Sequence, residues 1–75
     1  MRTTTRFSVP GISCDHCQES IEGAVAPTEG VQRVEVDIAA RTVMVEHDPG
    51  LVDQARLVGL IEDQGYDVES TEEVG

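Results

Sequence analysis

Two cysteines stand three positions apart in the run Gly11-Ile12-Ser13-Cys14-Asp15-His16-Cys17, and the 75-residue chain has no other thiol. A two-residue spacer lets both sulfurs turn toward one point. At the start of a helix, unpaired N–H groups and a partial positive charge favour thiolate over thiol. Such a pair can hold a soft monovalent cation or cycle with a disulfide. Structural zinc asks for four ligands. Beyond Cys14 and Cys17 only His16 and Asp15 are at hand, and no second CxxC or distant histidine pair completes a set. Two thiolates leave Cu(I) under-coordinated, so an incoming thiolate can add and then displace, which suits transfer better than storage.

The elements that must position this pair are legible in the patterning. Thr3 to Val9 alternates, with Thr3, Thr5, Phe7 and Val9 on one side, and Pro10-Gly11 stops the strand. A helix is predicted from about Asp15 to Val25, with Asp15 and Gln18 as a candidate capping box and Ser13 as the other candidate cap. Its apolar stripe is Ile21, Ala24 and Val25, and neither cysteine is read as part of it. Val31 to Asp37 and Thr42 to His47 read as an antiparallel hairpin. Leu51 to Gln64 reads as a second helix with Leu57, Val58, Leu60 and Ile61 inward and Gly65 after its end. Tyr66 to Glu69 is predicted as the last strand, and residues 70–75 as a frayed acidic tail. The order βαββαβ implies a single α+β domain over residues 1–75. Its expected architecture is a ferredoxin-like sandwich, with a four-stranded antiparallel sheet and both helices on one face. That topology puts the cysteine loop and the Gln64–Tyr66 turn at one end, and His47 at the other as a surface strand-end residue.

The formal net charge is −10, without a single lysine. Phosphate neutralisation needs a basic patch, so nucleic acid and anionic membrane surfaces are excluded as partners. The charge serves solubility or steers the chain toward a basic partner. No apolar run approaches the roughly 20 residues that span a bilayer, and no apolar segment follows the polar start as in a secretory signal. The expected compartment is the cytoplasm, where thiols stay reduced. Neither a nucleophile–base pair nor a phosphate loop is present, so no enzyme is expected.

Gly11-Ile12-Ser13-Cys14-Asp15-His16-Cys17 at the end of a first strand resembles the heavy-metal-associated domain family. Bacterial copper chaperones and the N-terminal domains of copper-exporting P-type ATPases belong to it. Gly30-Val31, Val34-Glu35-Val36-Asp37 and Ile61-Glu62-Asp63-Gln64-Gly65-Tyr66 are similar to the family's pattern too. The resemblance implies Cu(I) binding by Cys14 and Cys17 and shielding of the metal by Tyr66. It implies delivery to a copper-exporting ATPase or a copper-responsive regulator by a protein that is monomeric without metal, with a metal-bridged dimer open to it. The family usually has methionine where this chain has Ile12, which keeps the apolar packing and removes a thioether.

His16 is either a solvated loop residue or a group that tunes the thiolates and acts as a third ligand or bridge where two molecules meet. Tyr66 can equally be core filler with a wet hydroxyl. Met44 points outward by alternation and is not a ligand. Asp15, Glu19, Asp63 and Asp67 together suggest an acidic docking surface around the metal. Two other functions stay open: a carrier of another soft ion, Hg(II) or Zn(II) between two molecules, and a thiol–disulfide redox protein.

Overall fold

Six elements follow one another in a computed structural model that describes residues 2–13 and 15–74. They are β1 (Thr3–Ser8), α1 (Asp15–Val25), β2 (Val31–Asp37), β3 (Thr42–His47), α2 (Gln54–Glu62) and β4 (Ser70–Glu73). The strands form one antiparallel sheet in the order β2-β3-β1-β4, and the helices cover one face. Period-two alternation sends Thr5, Phe7, Val43, Val45 and Val36 to that face, where all are buried. They meet Ile21 and Val25 of α1 and Leu57 and Ile61 of α2 in one core. Each fully buried Leu or Ile contributes about 2 kcal/mol of transfer free energy.

The register decides which loops share an end. Ser8 pairs with Thr42 and with Ser70, and Asp37 also pairs with Thr42. The β1–α1 loop, the β2–β3 turn and the loop entering β4 therefore lie together. Thr3 and Val31 both pair with His47 at the opposite end.

Three expectations need correction. The last strand is Ser70–Glu73, not Tyr66–Glu69, and the segment read as a frayed tail pairs with β1. Backbone bonds from Glu69 N to Ser8 O and from Val74 N to Thr4 O, both 2.7 Å, extend that ladder. All four β4 residues are exposed, so main-chain pairing rather than an alternating apolar pattern defines the strand. The second helix starts at Gln54 rather than Leu51. Leu51 N and Val52 N both donate to Asp48 O in a turn, and the Asp53 carboxylate then caps the helix by accepting from Arg56 N at 2.9 Å. Asp53→Ala should cost about 1 kcal/mol, visible as a lowered midpoint in urea at unchanged slope.

The third correction is His47, which is buried at 1% exposure rather than on the surface. Its Nδ1 lies 2.9 Å from the Val52 carbonyl, which can only accept, so Nδ1 carries the proton. In the neutral ring Nε2 then accepts from the Thr5 hydroxyl at 2.9 Å. This network ties β1, β3 and the turn before α2 together far from the cysteines.

Two glycines are required by conformation, Gly30 at φ 95° and Gly65 at φ 92°. Arg41, at φ 57°, is the one other described residue in the left-handed region. An L side chain costs about 1–2 kcal/mol there. The turn is held by Ala40 N donating to the Asp37 carboxylate at 3.0 Å, and the Arg41 carbonyl accepts Val9 N–H at 2.9 Å.

Candidate metal centre

The loop leaving β1 is tight. Ile12 N donates to Val9 O at 3.1 Å across Pro10-Gly11, a turn that proline suits at its second position. Ile12 is fully buried in the core and anchors the loop from beneath, as its apolar side chain promised. Asp15 is the first residue of α1, so it does not serve as the cap outside the helix that the capping-box reading required. In the first turn its carboxylate complements the positive end of the helix dipole.

Cys17 lies in the same first turn and is 9% exposed, packed into the core cluster. Here the structure overturns the exclusion of Cys17 from the apolar stripe. Cys17, Ile21 and Val25 recur every four residues and are the buried residues of α1, while Ala24 is only half-buried. The fourfold spacing that put Ile21 and Val25 on one face was the available signal. Cys14 falls outside the described residues. His16, between the two cysteines, is exposed.

Tyr66 is half-buried and packs against the core. A methyl group placed on Gly11 would stand 3.4 Å from Tyr66 Cδ1. The ring therefore lies against the loop that carries the cysteines. Gly65, just before it, turns the chain in the left-handed conformation after Gly65 N donates to Glu62 O at 2.8 Å.

Asp15, Glu19, Asp63 and Asp67 are all exposed, on α1 and on the segment following α2. Met44 is half-buried on the open face of the sheet, in a shallow depression with Thr4, Arg33, Glu35 and Glu46. The pairing Glu35–Met44–Arg6 across β2, β3 and β1 places it on the side away from the helices. Among the described residues, no three or more His, Cys, Asp and Glu side chains assemble as a metal cluster, and no helix is long and apolar enough to cross a membrane.

A βαββαβ sandwich with CxxC at the head of its first helix defines a class of small metal-associated domains. The profile of the heavy-metal-associated domain matches residues 6–67, and the chain belongs to that family. It is 44% identical to the copper chaperone CopZ of Staphylococcus haemolyticus over 62 residues, which span 83% of this chain and 91% of that protein. Among solved structures it is similar to a putative copper-ion-binding protein from Bacillus anthracis (TM-score 0.86, 40% identity, 92% of this chain and 97% of that one). It is also similar to the N-terminal domain of a potential copper-translocating P-type ATPase from Bacillus subtilis in the Cu(I)-loaded state (TM-score 0.85, 27% identity, 96% and 92%).

Proposed function

We propose that this protein is a cytoplasmic copper chaperone that holds one Cu(I) between the thiolates of Cys14 and Cys17. It passes the ion to the metal-binding domain of a copper-transporting P-type ATPase or to a copper-responsive regulator. The observation that carries this reading is Cys17 seated in the first turn of α1 within a CxxC. The helix N-terminus favours the anionic sulfur, and the donor set of two soft thiolates fits a soft monovalent ion. The relatives named as copper chaperones, matched over nearly their whole length, support the same choice.

Transfer proceeds by ligand exchange. A thiolate of the partner adds to the bound ion, and the bond to one of the two cysteines then breaks. The ion stays Cu(I) throughout, and each thiolate that leaves is free to take a proton. Tyr66, against the Gly11 loop, limits approach of water and oxidants from its side. His16 is exposed between the two cysteines, which is compatible with a solvated loop residue and with a bridge to a second molecule.

The test is transfer of Cu(I) from the loaded protein to an acceptor domain, followed anaerobically. The reading expects faster exchange than through free ion in solution. With a basic acceptor the net charge of −10 should make the rate fall by about an order of magnitude or more from low to high salt. A rate no faster than dissociation of free Cu(I) would remove the chaperone role and leave only binding. A salt-independent rate would leave the charge to solubility alone.

A further inference from the structure

We infer that Arg41 is an orientation determinant for docking: a cation beside the metal loop that pairs with a carboxylate of the protein receiving the metal. This rests on the delivery role proposed above.

Three independent features single it out. The first is place. The register puts the β2–β3 turn at the same end as the cysteine loop, and the Arg41 carbonyl takes the N–H of Val9, two residues before Gly11. The other four arginines lie elsewhere. Arg2 precedes β1, and Arg33 stands near the start of β2, both toward the His47 end. Arg6 is within β1, and Arg56 is in the first turn of α2, which runs toward the metal loop from the other end. The second is partnership. Arg2, Arg6 and Arg33 each reach a glutamate, Glu46, Glu72 and Glu35, at 2.9, 2.9 and 3.4 Å. Arg41 and Arg56 are exposed and make no ion pair among the described residues, and of these two only Arg41 stands in a turn at the metal end. Its neighbour Asp37 accepts Ala40 N–H and keeps its negative charge in the same turn, without forming an ion pair with Arg41. The third is conformation. Position 41 holds φ 57°, where glycine would sit without strain. The chain carries arginine there nonetheless, and strain at an exposed position points to a role outside the fold.

The metal end is therefore polarised. Exposed carboxylates, Asp15, Glu19, Asp63 and Asp67, lie on α1 and the segment following α2, whereas at the β2–β3 turn the Arg41 cation offsets the single carboxylate of Asp37, so that side carries the one exposed cation of the metal end among the described residues. Two cysteine pairs can approach each other in more than one rotation about the metal. A partner with basic groups toward the helices and a carboxylate toward Arg41 fits in one rotation. In the reversed rotation Arg41 faces the partner's basic groups and is repelled. Charge arranged in this way fixes register and raises the encounter rate more than it raises affinity.

The experiment compares the full-length wild type with Arg41→Gly, Arg41→Lys and Arg41→Glu, all loaded with Cu(I). The acceptor is the N-terminal domain of the Bacillus subtilis copper-translocating ATPase. Transfer should slow about fivefold or more in Arg41→Glu, less in Arg41→Gly, and little in Arg41→Lys, with a smaller spread at high salt. Arg41→Gly should melt no lower than wild type, which separates docking from a structural role. Cu(I) affinity, measured separately by chelator competition, should be the same in all four. That measurement reads the binding proposal, while the ranking of transfer rates reads Arg41. Equal, measurable transfer by wild type and Arg41→Glu would overturn the inference alone, as would a lower melting temperature of Arg41→Gly that tracks its loss of transfer, whereas no transfer from any of the four at intact Cu(I) affinity would overturn the delivery role and the inference with it.

Discussion

Cys17→Ser is expected to weaken Cu(I) binding by two to three orders of magnitude while the domain stays folded. Four-ligand zinc sites contribute about 10–16 kcal/mol at neutral pH, or roughly 2.5–4 kcal/mol for each ligand, and about 1.4 kcal/mol is one decade of affinity. Losing one of only two soft ligands should cost at least that much, because serine keeps its proton and offers a hard oxygen. The fold should tolerate the change. Cys17 is 9% exposed at the edge of the core cluster, and serine is nearly isosteric, so a penalty of about 1–2 kcal/mol covers burial of the hydroxyl. Anaerobic competition against a coloured Cu(I) chelator, with a melt of the same sample, separates the two effects. Cys14→Ser should show the same loss of affinity. Undiminished affinity in either variant would remove the two-thiolate site.

The largest effect on stability is expected from Gly30→Ala, at the end of the molecule away from the metal. Gly30 has φ 95°, where an L residue is strained. An added Cβ would also stand 2.7 Å from Leu51 Cβ and 3.0 Å from Val52 Cγ1. Neither neighbour is the tip of a flexible chain. Val52 is buried, its carbonyl is bonded to His47, and its N–H donates to Asp48 O. Gly30 O in turn accepts Asp48 N–H at 2.8 Å, so relaxing the clash disturbs the turn that leads into α2. Strain and overpacking together should cost about 3 kcal/mol. In a domain of this size that lowers the melting temperature by about 15 °C. Cu(I) affinity of the folded fraction should be unchanged, because the cysteine loop lies at the other end. A melt within a few degrees of wild type would show that the Leu51–Val52 turn yields freely.

Much of this architecture was legible because strong period-two and four-residue patterns coincide with punctuation. Pro10-Gly11, Pro27 to Gly30 and Pro49-Gly50 separate the elements, and the bounds of α1, β2 and β3 follow from them. What the pattern concealed was decided by hydrogen bonds. β4 carries no buried side chain and exists through main-chain bonds to β1. The start of α2 depends on Asp53 capturing an amide three residues on, which hydrophobic spacing alone does not favour over a start at Leu51. His47 looked like a polar strand end, yet alternation with Val43 and Val45 already put it on the inner face, where Thr5 and the Val52 carbonyl satisfy its ring. At the candidate centre the CxxC was plain, while the burial of Cys17 was hidden by counting cysteine as chemistry rather than as part of the α1 stripe. Element order alone already put the Tyr66 turn at the end of the cysteine loop, while the contact of its ring with Gly11, 55 positions away in the chain, needed the fold.

The most direct test of the central claim is X-ray absorption at the copper edge of the protein loaded anaerobically with one equivalent of Cu(I) at low concentration. Two sulfur neighbours with no nitrogen, lost in the Cys14→Ser/Cys17→Ser double variant, is the predicted result. A shell containing imidazole nitrogen, or one that persists without the two thiols, would contradict it.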